Sequence, residues 1–213
     1  SGQLEYIRYQ PYNSETLQFQ DSRLDIVTYE GTAVSKITTY LNGNLYSESL
    51  YEYGIENKIS LTMHYNKGLV WTQTSSINQD NDHMTVNYSL SDGNSFRYEF
   101  DILNKNIIND TNSQYGQLCN QGNYQYDKNI NPFRHLGFMD FNFQNWSIGN
   151  KLTEDVHYLA CGFPTLIPVS HSYTYDQDGY PLNKITIYKT GSYDGGTTPV
   201  STRHMKTDFF YQE

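Results

Sequence analysis

Three acidic side chains in an aromatic stretch are the first candidates for chemistry. Asp140, Glu154 and Asp155 follow or flank phenylalanines and a tryptophan, and a pair of carboxylates is what glycosidic bond cleavage requires. The alternative, which we favour, is that these charges keep an aromatic segment soluble. The sequence has no Gly-x-Ser-x-Gly elbow, Ser-x-x-Lys pair or Gly-x-Gly-x-x-Gly loop. We therefore predict a protein that is not an enzyme.

Histidines and short acidic runs do not have metal-site spacing. The six histidines show neither His-x-His nor His-x-x-x-His spacing. Residues 78–82 begin like a calcium loop, but His83 and Ser89 stand where such a loop needs glycine and a bidentate glutamate. Residues 176–179 lack a later acidic ligand, so both runs are predicted to be turns. We predict no metal ion and no other cofactor.

Aromatic side chains are the better candidates for binding. The chain contains 21 Tyr, 10 Phe and 2 Trp, and exposed aromatic surface usually marks a binding site. Sugar rings or a partner loop could stack on a platform made by Trp71, Trp146, Phe138, Phe141, Tyr180 and Tyr193. Aromatic residues in strands more often belong to a core, which is the alternative for Trp71. Trp146, in a predicted loop, is open to either role.

The two cysteines, Cys119 and Cys161, leave two possibilities open. They could form one disulfide in an oxidising compartment. They could also stay unpaired, with at least one of them buried, and we favour this form. Sequence separation does not supply the geometry that a disulfide needs.

Charge and composition exclude several classes of protein. With 14 basic against 23 acidic residues the net charge is −9, and no Lys/Arg run is present, so nucleic acid is not an expected partner. The sequence contains no stretch of about 18 apolar residues, so it does not predict a transmembrane helix. The chain opens at Ser1 without a methionine, so we expect that any secretory leader is already missing.

Alternation of apolar and polar residues predicts the elements that must position these side chains. It has a period of two and one polar face, which is typical of antiparallel strands. Asn42-Gly43 and Asp92-Gly93 suit tight hairpin turns. The alternation is clearest in residues 58–66, 84–90 and 96–102.

Two stretches break this rhythm. Residues 104–123 are rich in asparagine and are predicted to be a loop. Residues 131–168 are predicted to be an irregular aromatic insert with helical turns near residues 152–159, since Pro132 cannot donate to a strand ladder. A long aromatic loop should fold back over the apolar face as a lid or plug. Residues 1–213 are thus predicted to be one all-β domain, an antiparallel meander curved into an open or partial barrel, with this insert packed on it.

A Tyr-x-Tyr frame precedes several predicted hairpins. Residues 51–53 lead to Lys-Ile-Ser at 58–60, and residues 173–175 lead to Lys-Ile-Thr at 184–186. Tyr29 leads to a further Lys-Ile-Thr at 36–38. Residues 124–127, Tyr-Gln-Tyr-Asp, begin another copy, which is diverted at Pro132. Alternate residues share one face of a strand and the Gly/Asp/Asn clusters reverse the chain, so each copy is predicted to be a hairpin.

Two of these runs carry a resemblance to a known family. Residues 124–133, YQYDKNINPF, and residues 173–181, YTYDQDGYP, resemble an uncharacterised family of secreted lipoproteins from Bacteroides-type bacteria, a domain of unknown function with a porin-like fold. The order and spacing of the two elements around a variable insert match, and the resemblance covers most of the chain. It implies a curved antiparallel sheet and an anchor to the outer membrane through a lipid-modified cysteine upstream of Ser1. It implies no activity and no functional residue.

We therefore expect a non-catalytic module of the bacterial cell envelope that binds a glycan or another protein. One alternative is a structural subunit of an envelope complex, and another is a glycoside hydrolase that uses Glu154 and Asp155. Membrane contact is expected only through the lipid anchor. An inserted barrel is not expected, because the predicted strands alternate over about seven residues where membrane strands need about 9–11, and because the insert would be hard to place.

Overall fold

Fifteen β-strands make up most of the part of the chain that the computed structural model describes. It describes residues 3–54, 58–65, 68, 70–80, 82–114, 117–136, 147–158, 165–190 and 201–211. A 3-10 helix, Pro132–Leu136, lies between β11 and β12. The strands are β1 Leu4–Asn13, β2 Gln18–Phe19, β3 Arg23–Glu30, β4 Ala33–Leu41, β5 Asn44–Tyr53, β6 Lys58–Tyr65, β7 Val70–Gln79, β8 His83–Leu90, β9 Ser95–Leu103, β10 Asn106–Gln114, β11 Gln117–Tyr126, β12 Lys151–Tyr158, β13 Thr165–Tyr175, β14 Pro181–Thr190 and β15 Ser201–Tyr211.

The sheet closes into a barrel. From β3 to β15 each strand pairs with the next one in the chain, in antiparallel fashion. β1 completes the ring, because Ile7 lies opposite Asp25 of β3 on one side and opposite Phe209 of β15 on the other. All fifteen strands except β2 form this wall, which makes fourteen, while β2 pairs only with the end of β1.

The all-β antiparallel meander predicted from the sequence is confirmed, but the open or partial barrel is wrong. The error has a simple physical origin. Alternation of side chains reveals the two faces of a strand and turn residues reveal its neighbour in the chain. Neither signal shows that the first and last long strands, at opposite ends of the chain, pair with each other.

Alternate residues of each strand face the barrel interior. The buried apolar residues among them, together with Phe133, form two clusters. The first joins β1, β3–β6 and β15 with the 3-10 helix, and the second lies on β8, β9 and β10. Each large apolar side chain that is buried contributes about 1.5–3 kcal/mol. The first contains Leu4, Ile7, Val27, Val34, Ile37, Tyr51, Leu61, Phe133 and Phe209, and the second contains Met84, Val86, Tyr88, Phe100, Ile102 and Ile107.

The asparagine-rich stretch, residues 104–123, is not a loop. It forms the β9–β10 turn and most of the hairpin between β10 and β11. Asn104 and Lys105 adopt positive φ in that turn, and asparagine enters this region more easily than most residues. Ile107 and Asp110 fill inward positions of β10 and both are buried. Amide side chains on both faces, Asn109 outside and Asn112 inside, obscure the alternation in this strand.

The predicted insert at residues 131–168 is also more regular than expected. It contains β12 and the beginning of β13, so the helical turns predicted near residues 152–159 are wrong. The inward positions of β12 carry Lys151 and Glu154 rather than apolar side chains, so the strand lacked its usual signature.

None of the described residues forms a helix long and apolar enough to cross a membrane.

The connection between β11 and β12 turns into the barrel. We call its described residues, 127–136 and 147–150, the plug segment. Asn131, Pro132 and Phe133 are buried, and the 3-10 helix contacts β1 and β4, well around the ring from the strands that it connects. The Phe133 ring meets the Phe209 ring edge-on, with the centroids 5.4 Å apart.

The closing strand offers a direct test of which side chains face inward. Phe209 is 4% exposed within the first apolar cluster, whereas Phe210 lies on the outer face and stacks on Tyr6 at 4.0 Å. We expect Phe209→Ala to lower the free energy of unfolding by about 3–5 kcal/mol. Phe210→Ala should cost about 1 kcal/mol, because it loses mainly a ring pair. Urea unfolding of both variants gives the comparison, and equal losses would contradict the register of β1 and β15.

Candidate functional site

A network of charged and polar side chains lies on the inner wall of β12, β13 and β14. Glu154 is at its centre. One carboxylate oxygen is 2.9 Å from Nζ of Lys151, and the other is 3.2 Å from Nε2 of His171. Nδ1 of His171 is 3.0 Å from the hydroxyl of Thr186. Lys151, His171 and Thr186 are all buried, so these groups interact in a medium of low polarity.

Burial and the neighbouring charges define the protonation states in this network. Burial raises the pKa of Glu154, but attraction to Lys151 and the bond from His171 outweigh that effect and hold it at about 2. Burial lowers the pKa of His171, and Glu154 opposes this only in part. We infer a neutral His171 that donates from Nε2 to Glu154 and accepts at Nδ1 from the Thr186 hydroxyl. The carboxylate is thus engaged on both sides.

Lys184 is the second buried lysine of this wall. It is 5% exposed, and its Nζ lies 5.4 Å from the centroid of the Phe133 ring of the plug segment. Burial lowers its pKa to about 8, with repulsion from Lys151 adding to the effect and attraction to Glu154 opposing it. A lysine in such surroundings is costly to keep charged.

The buried amine of Lys184 makes stability depend on pH. The pKa of Lys184 is about 8 in the folded protein, below the ordinary 10.5. Between these pH values the unfolded chain binds more protons than the folded one, so the free energy of unfolding rises as the pH rises. We expect Lys184→Met to be more stable than the parent protein at pH 7 by up to about 3 kcal/mol, because a pKa difference of one between the folded and unfolded chain corresponds to about 1.4 kcal/mol. The advantage should shrink as the pH approaches 10.

Urea unfolding at pH 7 and pH 9.5 measures this change. Lys36→Met is the matched control, because Lys36 pairs with Glu48 on the outer face and both side chains are more than a third exposed. Its effect should be small and nearly the same at both pH values. A Lys184→Met variant whose stability relative to the parent does not change with pH would contradict the assignment.

The network continues toward β10 through a tyrosine and an aspartate. The Tyr124 hydroxyl donates to Oδ1 of Asp110 at 2.5 Å, and Nζ of Lys151 lies 4.1 Å from the centroid of the Tyr124 ring. Burial raises the pKa of Asp110, partly opposed by this hydrogen bond. Gly122 faces the pair, and an added Cβ would collide with both polar groups. Glycine at this position leaves room for the contact.

The two Tyr-x-Tyr-Asp runs of the sequence meet at the entrance of the plug segment. Asp127 accepts hydrogen bonds from the Tyr175 hydroxyl and, at 2.8 Å, from the backbone N–H of Asn150. The Tyr173 hydroxyl donates to the carbonyl of Lys151 at 3.0 Å. The tyrosines of the second run thus hold the segment that the first run begins.

Further hydrogen bonds fix the rest of the plug segment. The side chain of Asn131 donates to the carbonyl of Ser147 at 2.8 Å, and the Ser147 hydroxyl accepts from the N–H of Ile107 at 3.0 Å. The N–H of Gly149 donates to the side chain of Asn106 at 2.9 Å. The segment is therefore tied to the β9–β10 turn as well as to β13.

Asp127 should be the most sensitive residue of this arrangement. We expect Asp127→Ala to lower the free energy of unfolding by about 2–4 kcal/mol, because several buried donors lose a charged acceptor. Asp178→Ala, an exposed position in the β13–β14 turn, is the matched control and should change stability by less than about 0.5 kcal/mol. Thermal and urea unfolding give both values. Equal effects would show that the plug segment is not held through Asp127.

Most of the predicted aromatic platform falls outside the described residues, namely Trp146, Phe138, Phe141 and Tyr193. Trp71 lies in β7, with its backbone opposite Met63. Tyr180 ends the β13–β14 turn, and its ring meets that of Tyr211 edge-on at 5.3 Å. The platform stays a prediction. The turn itself forms as expected, since Asp176 accepts from the N–H of Tyr180 at 2.8 Å.

Glu154 and Asp155 do not form the carboxylate pair that the glycosidase alternative requires. Glu154 and Asp155 are neighbours on β12 and therefore face opposite sides of the wall, with Asp155 exposed outside. Asp140 and Cys161 lie outside the described residues, so a bond from Cys161 to Cys119 of β11 stays untested. Within the described ranges, no three His, Cys, Asp or Glu side chains gather closely enough to hold a metal ion.

Several inward side chains of β5 and β7 are shielded from water. Four small or amide side chains face inward there, and each is at most 6% exposed. A water-filled channel at this level would leave such groups exposed. They are Ser47, Ser49, Gln73 and Ser75.

The outer face of the barrel has two unlike sides, a feature that sequence reasoning missed. The outward residues of β7 and β9 are polar along the middle of the strands, as in Thr72, Thr74 and Ser76 on β7, and apolar only at Val70 and Leu103 near the strand ends. Those of β14, β15, β1, β3, β4 and β5 mix apolar side chains with charged pairs such as Lys36–Glu48 and Lys206–Asp208, and we call the apolar residues among them the apolar wall. It carries Ile185, Ile187, Phe210, Tyr6, Leu24, Ile26, Tyr40 and Leu50.

A concavity of about 660 Å³ lies at one end of the apolar wall. It is formed where β3 and β4 meet the β4–β5 turn and the residues before β3. One signal for it was present in the sequence, since β3 has aliphatic residues on both faces, Ile26 outside and Val27 inside. The lining residues are Arg8, Asp21, Ser22, Arg23, Leu24, Ile26, Tyr40, Asn42 and Gly43.

Comparison with known proteins supports the class of fold. No family model matches the chain, and no curated protein matches it. The structure is similar to the crystal structure of a porin-like protein from Bacteroides uniformis, with a TM-score of 0.57 and 10% sequence identity over 97% of each chain. The protein is therefore an antiparallel barrel of the porin-like fold. Membership of the lipoprotein family stays a prediction.

Proposed function

We propose that the protein is a non-catalytic binding module of a bacterial cell envelope, which holds a glycan or another protein on its outer face. The apolar wall is the observation that carries this proposal. Ile26 is 38% exposed on it, and Tyr6 lies beside Ile26 on one side and Phe210 on the other, whereas β7 presents Thr72, Thr74 and Ser76 outward. Leu24 and Tyr40 lie next to this row, and such a group of neighbouring apolar residues on the surface is typical of an interaction site.

The inner network supports a structural rather than a catalytic role for the interior. One carboxylate oxygen of Glu154 accepts a hydrogen bond from Lys151 and the other accepts one from His171. Neither oxygen is therefore available to act on a substrate. Asp155, the second carboxylate of the glycosidase alternative, faces away from it. The interior thus holds buried clusters and paired charges, which leaves the outer face as the surface available for partners.

The polar part of the outer face favours a barrel surrounded by water. Membrane barrels need an apolar band facing lipid, whereas β9 presents Arg97, Glu99 and Asp101 outward. Strand length does not decide the matter, since the long strands have 8–11 residues, more than the alternation indicated. The porin-like neighbour from Bacteroides uniformis supports an envelope location. Attachment through a lipid anchor upstream of Ser1 is part of the proposal and rests on the family resemblance.

A charge placed on the apolar wall tests the proposal. The immobilised protein is challenged with purified cell-envelope polysaccharides and with solubilised outer-membrane proteins of a Bacteroides species. We expect the parent protein to retain one of them and Ile26→Asp to lower retention at least tenfold, because a carboxylate is costly to bury in an apolar contact. Thr74→Asp, an exposed outward position on β7, is the matched control and should retain as much as the parent.

A structural subunit of an envelope complex is the second candidate. The apolar wall extends beyond the concavity to Tyr6 on β1 and Phe210 on β15, and a permanent protein partner would cover such a surface. Light scattering separates the two functions, since a subunit should co-purify with a partner or self-associate. If no polysaccharide or envelope protein is retained and the protein is strictly monomeric, both candidates fail.

A further inference from the structure

We propose that the concavity on the apolar wall binds a neutral carbohydrate. This rests on the proposed binding function and adds to it a place and a class of ligand. The concavity is bounded by two strands of the wall and by a tight turn, so it is built from elements of the barrel.

The floor of the concavity has the chemistry that the apolar face of a sugar ring needs. Leu24 and Ile26 of β3 and Tyr40 of β4 lie side by side on the outer face, because Leu24 is opposite Tyr40 in the strand register. The C–H groups of a pyranose ring can pack on such aliphatic and aromatic surface. Ile26 is 38% exposed without a ligand.

The rim supplies the donors and acceptors that sugar hydroxyls require. A hydroxyl both donates and accepts hydrogen bonds. Asp21 is an acceptor and Arg8 is a donor, with side chains 67% and 38% exposed. Asn42 adds an exposed amide that can do both, and Ser22 adds a hydroxyl. Polar groups at the edge of an apolar surface are the usual composition of a small-molecule site.

The rim is held in place before any ligand binds. Nε2 of Gln10 donates to Oδ1 of Asp21 at 2.7 Å, and the N–H of Asn42 donates to the carbonyl of Ser22 at 2.9 Å. Ser22 in turn donates from its N–H to the carbonyl of Tyr9 at 3.1 Å. Fixing these groups in advance reduces the entropy lost on binding.

The charges around the concavity favour a neutral ligand over an acidic one. Arg23 is paired with Asp25, with Nη2 2.8 Å from Oδ2, and Asp21 lies 3.9 Å from Nε of Arg8. The two guanidinium groups are therefore balanced by two carboxylates. The whole chain has a net charge of −9, which repels polyanions at longer range. A volume of about 660 Å³ suits a short oligosaccharide.

Calorimetric titration of the full chain with maltohexaose, cellohexaose, mannohexaose and the acidic oligogalacturonate tests the assignment. We expect at least one neutral oligosaccharide to bind and the acidic one not to bind. Tyr40→Ala and Asn42→Gly should each weaken binding at least tenfold. Asn42 has a positive φ of 50°, so glycine removes the amide and keeps the turn. Asn104→Gly, a similar change at φ 51° in the β9–β10 turn, is the matched control and should have no effect.

The other outcomes separate this inference from the proposed function. Neutral binding that neither variant weakens would place the carbohydrate elsewhere and overturn the site. Binding of oligogalacturonate alone would overturn the neutral class. If no oligosaccharide binds but an envelope protein is retained in an Ile26-dependent manner, the carbohydrate inference fails and the binding function stands. If neither is retained, both fail.

Discussion

The pairing of β1 with β15 is the constraint on which the rest of the structure depends. A meander of this length left open would expose two unpaired edges, each of which is a template for aggregation. Closure satisfies both edges and also creates an enclosed interior. Leu4, Ile7 and Phe209 are nearly fully buried only because their strands have met. The plug segment likewise requires a closed wall, since Phe133 contacts residues contributed by both ends of the chain.

Enclosure explains why the interior can hold charges. Taking Lys151, Glu154 and Lys184 out of water is costly, and the attraction between them repays the cost only where geometry and hydrogen bonds are good. Glu154 meets this condition through two partners. Lys184 meets it less well, which is why its pKa falls to about 8 while that of Glu154 falls to about 2. The network joins consecutive strands to each other, and Lys184 joins this wall to the plug segment through the face of the Phe133 ring.

The sequence predicted those elements whose signal is local. The inward rows of β8 and β9 follow directly from alternation, with Met84, Val86 and Phe100 buried as the pattern requires. The turn at residues 176–179 follows from its composition. The alternation does not predict β12, because its inward residues include Lys151 and Glu154, which suit an interior only when they pair with each other and His171 of β13 reaches Glu154. That proximity is a property of the register and not of the composition.

The outer face escaped prediction for a related reason. In a sequence, aliphatic residues on strands indicate a buried core, so Leu24 and Ile26 give no sign that they lie on the outer face. Only the register shows that they share a face with Tyr40 while Val27 points inward. The Tyr-x-Tyr-Asp runs were noticed as a repeated pattern, yet their physical role depends on Tyr175 reaching Asp127 across the barrel end. Contacts between residues so distant in sequence follow from the closed topology.

The two faces of the wall divide stability from recognition. The interior holds the apolar clusters, the charged network and the plug segment, so most of the folding free energy should depend on inward residues. Outward residues contribute little to that sum, since exposed positions usually change stability by less than about 0.5 kcal/mol. A surface on that face can therefore vary without loss of the fold, and sites on a shared fold are usually placed in this way.

An apolar outer surface still has a cost in solubility, which the net charge of −9 offsets on the rest of the molecule. Under the proposed binding function, a partner that covers these apolar residues would remove that cost.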